Sequence, residues 1–516
     1  MKEKRKTTKR SVIPVILLVL LILAAAGFTA FAFGVIPALP IPQQKDASPV
    51  PAFIGQEAAP KPIDAPEIPN NPYMSPGSWS GIHNDAYMSD AYQVSGPLGR
   101  SPVVSSSFLG LNKKNPLGLV VGMAFDRSGK ITALSTMLDK AKLTSWVRVT
   151  LINPDNLTRL AWLDLPGVTF TAGHFRPAGV YFYQDQNDRI LIGTPEQEIW
   201  LISHTTKPLY KFNIERKYDL REYIASDDSI QALQPDSSGL LWFTTHNGVV
   251  GTLDLDTGQV PGVINLPGEN IVNATAADET GGVYIASTQA MYRFDANPDR
   301  SPAITWRETY DAGTRVKPGQ VNIGTGTTPT LMGSEYVTIT DNSDPLMHVL
   351  VFRRAKEVQG PRLVCAEPVF KADKGSTENS LVATDKSIIV ENNYGYIDLT
   401  STQDGLRTEP GITRIDVDEN GCHTVWANET EVIPTVVTKM SLANGLIYTY
   451  TKDQAPGTTD AWYLTAIDFG TGETVFKQLA GTGALYNNHY APLYLGPDGT
   501  AYVGIFGGLV AIRDSH

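Results

Sequence analysis

Over much of this chain, apolar and polar positions alternate with a period of two in short runs, each bounded by a glycine or aspartate turn. Residues 500–505 (Thr-Ala-Tyr-Val-Gly-Ile) show the pattern. Asp498-Gly499 reverses the chain before them, Gly507-Gly508 reverses it after, and residues 509–512 pair back. Residues 239–254 and 282–295 repeat the plan of turn, strand, tight turn, strand. Nothing between residues 79 and 516 carries a sustained helical period.

The strand groups recur every 40 to 50 residues or so, the period of propeller blades rather than of helical solenoids. Eight groups are counted, over 116–167, 178–220, 229–268, 270–313, 326–371, 376–431, 434–483 and from 488 to the end. Their turns include Asp126-Arg-Ser-Gly129, Pro235-Asp-Ser-Ser-Gly239, Asp278-Glu-Thr-Gly-Gly282, Ala443-Asn-Gly445 and Phe469-Gly-Thr-Gly472. The last group holds only three strands, and an open blade would leave an unpaired edge. The segment between Gly96 and Gly110 has strand character and no partner of its own, so it is expected to supply the missing outer strand. The expected fold is therefore an all-β, eight-bladed propeller over residues 79–516, with seven blades as the alternative, closed by an N-terminal strand.

The first residues change the picture. A dense basic run at 1–10 precedes an uncharged stretch at 11–39. About two dozen apolar residues at 1.5 Å each reach about 36 Å, enough for a hydrocarbon core of about 30 Å. The reading is one transmembrane signal-anchor helix, with the basic tail cytoplasmic and the propeller exported through the plasma (inner) membrane, periplasmic or extracellular. A cleaved signal peptide ending near Ala30-Phe-Ala32 is the alternative. Residues 40–78, rich in proline and alanine and without apolar periodicity, read as a linker: a semi-rigid stalk lifting the domain off the membrane. The net charge of -11, with no basic cluster beyond the N-terminus, argues against nucleic acid as a partner. The two cysteines, Cys365 and Cys422, read equally well as a disulfide of an exported protein or as two separate buried thiols.

The turns that end several units resemble the repeat of quinoprotein dehydrogenases and of the non-enzymatic PQQ-like β-propellers, whose pattern is Ala-Leu-Asp-x-x-Thr-Gly-x-x-x-Trp. It is visible in Thr252-Leu-Asp-Leu-Asp-Thr-Gly258 and in Ala466-Ile-Asp-Phe-Gly-Thr-Gly472, and more loosely in Leu151-Ile-Asn-Pro-Asp-Asn-Leu157, followed by Trp162. The opening Trp79, His83-Asn-Asp85 and Gly96-Pro-Leu98 also resembles the start of that family's domain. The departures are chemical. Phe476 and Gly262 stand where the repeat has its tryptophan, and the adjacent cysteine pair that quinone-dependent members place over their cofactor is missing. The resemblance therefore implies a propeller and a binding or scaffold role, with PQQ an unlikely cofactor. A quinone-dependent dehydrogenase ranks last among the functions considered.

In an antiparallel blade the turns joining first to second and third to fourth strands emerge at one end of the ring. The second-to-third turns and the crossovers between blades emerge at the other. At the crossover end lie His174, Asn270, Glu378 with Asn379, Asn392, and Asn488 with His489, which form a candidate ligand-binding mouth of the channel. Glu378, Asn379 and Asn392 offer hard oxygen donors for Ca²⁺. A histidine beside such an ion could serve as base for lactone or ester hydrolysis. Asn and His also favour loops because they cap turns. His83-Asn-Asp85 reads as structural packing across the ring. Two functions thus stand side by side: a membrane-anchored binding module for an unidentified protein or small molecule, and a Ca²⁺-dependent exported hydrolase. Catalytic motifs such as Gly-x-Ser-x-Gly or His-Glu-x-x-His do not occur.

Overall fold

The computed structural model describes residues 36–77, 79–109, 117–139, 144–169, 179, 181–206 and 209–515. The expected membrane segment lies almost wholly outside them. Among the described residues no helix is long and apolar enough to cross a membrane. Their only helical elements are the short 3₁₀ turns Leu399–Thr402 and Ala484–Tyr486.

Eight antiparallel sheets form the ring. Blade one comprises Leu117–Phe125, Ile131–Asp139, Thr144–Ile152 and Arg159–Asp164. Blade two runs from Tyr183–Gln184 to Lys211–Asp219 and blade three from Ile230–Pro235 to Gly262–Asn265. Blade four runs from Ala276–Ala277 to Pro302–Thr309, blade five from Thr330–Met332 to Leu363–Val369, and blade six from Val382–Ala383 to Gly421–Asn428. Blade seven runs from Lys439–Ser441 to Thr474–Thr482. Blade eight has Leu493–Leu495, Ala501–Ile505 and Gly508–Arg513, and its fourth strand is Val103–Phe108. That strand pairs antiparallel with the last one, Ser105 opposite Ala511 and Ser107 opposite Leu509, and closes the ring as the strand count required.

The core lies between blades rather than within one centre. Tyr183, Leu191 and Ile199 of blade two pack with Ile230, Leu241 and Phe243 of blade three. Leu240, Trp242 and Val250 of blade three pack with Val283, Ile285 and Phe294 of blade four. Inner strands are covered on both faces, so Leu241–Thr245 is buried at every position, whereas the outer strand Lys211–Asp219 alternates with solvent. Each large apolar side chain buried this way contributes roughly 1.5–3 kcal/mol relative to exposure.

One aspartate organises the turn after the first strand in blades one to four. In blade three, Asp236 Oδ1 accepts the Ser238 and Leu240 amides at 2.8 and 3.1 Å, while Oδ2 accepts Trp242 Nε1 at 2.9 Å. Asp126, Asp185 and Asp278 likewise accept the amides two and four residues on in their blades, and in blade eight Gly496 takes the position. The three repeat copies named above also superpose in role. The Gly258, Gly472 and Leu157 amides reach back to Asp254, Asp468 and Asn153 carbonyls at 2.7, 2.8 and 2.8 Å, all three with left-handed φ. Leu157 holds φ +55 where glycine serves elsewhere.

Two features differ from the sequence expectation. The proline-rich segment is not a free stalk. Its backbone amides bond along the ring (Gln44 to Thr482 O, Ala58 to Leu98 O, Lys61 to Asn444 O, Ile63 to Leu442 O), Phe53–Gly55 adds a strand outside Thr474–Thr482, and Ile41, Ala58 and Met74 are buried. Without apolar periodicity it is held as a strap, through backbone pairing and isolated anchors. The next stretch, 79–92, circles inside the ring. Trp79, Ser80, Ala86, Tyr87 and Ser89 carbonyls accept amides of Phe125, Gln184, Ala277, Leu331 and Ala383, and Ala91–Tyr92 pairs in parallel with Met440 and Ser441. These partners lie at or near the ends of inner strands, so the segment plugs the channel at the end opposite the crossovers. Cys365 and Cys422 are joined in a disulfide between the outer strands of blades five and six, with Cα atoms 5.9 Å apart.

Candidate functional site

With one end plugged, the channel is a blind cavity of about 510 Å³ at the crossover end, within the usual size range of small-molecule sites. Its floor includes Ile82 and His83 of the plug, and its walls come from the crossovers, including Tyr181, Gln231, Asn273, Thr328, Glu378 to Ser380, His489 and Tyr490. Crossovers converge there because every blade begins at the channel axis, so a polar residue just before an inner strand faces its counterparts from other blades.

The predicted site residues divide. Glu378, Asn379 and His489 line the cavity. Asn270 does not, but its Nδ2 lies 3.3 Å from Nε2 of His246, which does. Asn392 and Asn488 are turn caps. Asn392 donates to the Lys374 and Pro410 carbonyls and accepts the Ser376 and Tyr394 amides. Asn488 joins Thr435 and the Ala491 carbonyl. His174 lies outside the described residues. The three oxygens suggested for Ca²⁺ are therefore not brought together, since both ends of the Asn392 amide face backbone groups. Among the described residues no group of three or more His, Cys, Asp or Glu could hold a metal ion.

Glu378 is the one carboxyl lining the cavity among the described residues. Its Oε2 accepts the Val321 amide at 3.0 Å, and burial pushes it up to about 8. Gly326 fixes this wall, because a Cβ there would meet the Thr377 carbonyl at 2.1 Å and the Glu378 carboxyl at 2.9 Å. His489 Nδ1 lies 2.8 Å from the Tyr396 hydroxyl, and burial holds the imidazole below its usual range. Burial raises Tyr181 and Tyr490, so both hydroxyls stay protonated.

The floor was not anticipated. His83, read from the sequence as packing, is buried with Nδ1 3.0 Å from Asp90 Oδ2. Its Nε2 lies 3.2 Å from Ser380 Oγ and 3.3 Å from Thr328 Oγ1. Tyr181 stacks on its ring. Asp90, fully buried, also pairs with the fully buried Lys439, whose Nζ donates to the Ile82 carbonyl at 2.8 Å. Burial pushes Asp85 up to about 7 and Glu391 up to about 8 beside this pair. The plug takes left-handed φ at three non-glycine residues, Asn84, Met88 and Asp90, a conformation costing on the order of 1–3 kcal/mol each. The sequence did carry one signal: Asn84, Asp85 and Asp90 interrupt an apolar run that must be inside.

No protein-family profile matches the chain. It is 28% identical over 337 residues to an uncharacterised protein of Archaeoglobus fulgidus, covering 59% of this chain and 64% of that one. The chain thus spans less than two thirds of that relative's length. Among solved structures it is similar to a streptogramin B lyase (TM-score 0.39, 10% identity, 80% of this chain and 97% of that one). It is also similar to a chain in a mitotic checkpoint complex (TM-score 0.37, 9% identity, 64% and 87%).

Proposed function

We propose that this protein is a membrane-anchored, extracytoplasmic β-propeller binding module whose ligand is a small uncharged molecule held in the plugged channel. The cavity carries the reading. Apolar Val121, Val272, Val321 and Val437 lie there among amide, hydroxyl and imidazole groups, and among the described residues no Lys, Arg or Asp lines it. With Glu378 largely protonated at neutral pH, a charged ligand would find no permanent counter-charge, whereas a neutral ester, lactone or amide would satisfy the polar groups around it. The anchor rests on the apolar stretch at 11–39 and the basic tail before it, and the disulfide favours an oxidising compartment.

Acetanilide, a neutral amide that resists hydrolysis, is the probe. Saturation-transfer NMR on the full-length protein is expected to detect its binding, and Val321→Trp at the mouth is expected to abolish it. Binding unchanged by that substitution, or no binding of this or other neutral amides and esters, would overturn the channel assignment. The anchor is tested separately: the protein should require detergent for extraction and keep its N-terminal residues. Recovery of a cleaved soluble form removes the anchor.

A further inference from the structure

We infer that the channel floor is a metal-free acyl-transfer centre in which Ser380 is the nucleophile, His83 its base, and Asp90 the residue that orients the imidazole, acting on small neutral esters or lactones. This rests on the binding assignment above, since the cavity that would admit the substrate is the same.

The geometry has the three links such chemistry needs. Asp90 approaches His83 Nδ1 at 3.0 Å, which assigns the proton to that nitrogen and leaves Nε2 as acceptor. Ser380 Oγ sits 3.2 Å from Nε2 and borders the cavity. Asp90 is itself fixed by Lys439, so the orienting carboxylate has one oxygen on the imidazole and the other on the ammonium. Thr328 Oγ1 also reaches Nε2, at 3.3 Å, but it is a hindered secondary alcohol whose oxygen accepts the Ala274 amide at 3.2 Å. The Thr328 amide donates to Ser380 Oγ at 3.2 Å and steadies it. A plug that holds strained backbone at Asn84, Met88 and Asp90 to present one imidazole to a cavity has the pattern of a working site.

Ser380 gives its hydroxyl proton to His83 Nε2 as Oγ adds to the ester carbonyl carbon. The tetrahedral adduct breaks its bond to the leaving oxygen, which takes that proton from Nε2 and departs as the alcohol. Water then adds to the acyl-Ser380, its proton passing to Nε2 and on to Oγ as the carboxylic acid leaves. Nothing is oxidised or reduced, and water is the sole co-reactant. Glu378, Tyr181 and Tyr490, which line the same cavity, are the hydrogen-bond donors available to the carbonyl oxygen.

The test uses full-length protein and 4-nitrophenyl acetate. The expected result is a burst of 4-nitrophenol, one acetyl group on the peptide carrying Ser380, and labelling of the same residue by diisopropyl fluorophosphate. The labelling needs no variant and so does not depend on a variant's folding. Ser380→Ala and His83→Gln should each lower kcat by about a thousand-fold or more. Asp90→Asn should lower kcat with KM unchanged. Acetanilide binding without hydrolysis, acetyl on another residue, or full activity in Ser380→Ala overturns the acyl-transfer centre and leaves the binding module standing. No binding of acetanilide or of other neutral amides and esters removes the binding assignment itself.

Discussion

Replacing Asp90 by Asn tests the channel floor most directly. Lys439 is fully buried; its ammonium has the Asp90 carboxylate, the Ile82 carbonyl at 2.8 Å and the ring of Tyr494 about it. Asparagine keeps the shape and still accepts from His83 Nδ1, but it strips the charge opposite Lys439. Breaking a buried ion pair from one side costs about 3–5 kcal/mol, because the remaining charge stays desolvated. Asp85 and Glu391 are close enough to favour the ammonium, which puts the expectation near the lower end. With about 2.1 cal/mol/K of unfolding entropy per residue, a propeller over residues 79–516 shifts in Tm by only about 1 °C per kcal/mol. Urea unfolding followed by tryptophan fluorescence is therefore the better assay. The sign of the pH dependence is fixed as well. Burial already holds Lys439 below its ordinary 10.5, and losing Asp90 lowers it further. The unfolded state then binds more protons than the folded one, so the deficit shrinks as pH rises toward the lysine range. The double variant Asp90→Asn, Lys439→Met should recover more than half of the loss. A single variant within 1 kcal/mol of wild type, or a double variant no better than the single, would refute the account of a plug locked by this pair.

Two further outcomes follow from the same region and from the strap. Burial pushes Asp85 up to about 7 and Glu378 and Glu391 up to about 8, all above their unfolded values; their stabilising contribution is present in acid and lost as pH rises through 7 to 8. Urea midpoints should thus be higher near pH 5.5 than near pH 8.5, and Glu391→Gln should flatten the difference; an unchanged slope would contradict the burial argument. In hydrogen exchange, the amides of Gln44, Ala58, Lys61 and Ile63, which donate to ring carbonyls at 2.7–2.9 Å, should be protected well beyond an open proline-rich linker. Exchange of all four at free-peptide rates would mean that the strap is detached in solution.

The blades were legible because their signals are local. A period of two, an aspartate two residues before a turn amide, and a glycine at left-handed φ all fall within a dozen residues, as at 236–253. Even the closure could be read, since three strands in the last group demanded a fourth from near residue 103. The plug and strap left no such trace. Residues 53–55 join blade seven through backbone pairing and one ring, Phe53 stacked on Phe476, and proline-rich composition hides pairing that uses one amide in two or three. The floor was harder still. His83, Thr328 and Ser380 are far apart in sequence, and only ring geometry makes them neighbours. Asn392 and Asn488 illustrate the opposite error: chosen as donors from loop composition, they cap turns, which is what loop asparagines do most often.

Blade seven shows how the floor is tied to the rest of the fold. Its sheet has six strands because the N-terminal segment uses both of its edges, Phe53–Gly55 on the outside and Ala91–Tyr92 on the inside. The strand that receives the plug, Lys439–Ser441, supplies the lysine that holds Asp90. The strap's other anchors are spread from Gln184 to Thr482, and the closing strand waits for residues 508–513. The closing strand and the edges joined to blade seven thus find their partners only after nearly all of the chain is present, and closing such separations costs loop entropy before the contacts form. Blades two to six, built from hairpins, can form earlier. The cavity floor therefore assembles late and as one unit with ring closure, so that a channel lacking its plug also lacks the imidazole, the carboxylate and the counter-ion that give the site its chemistry.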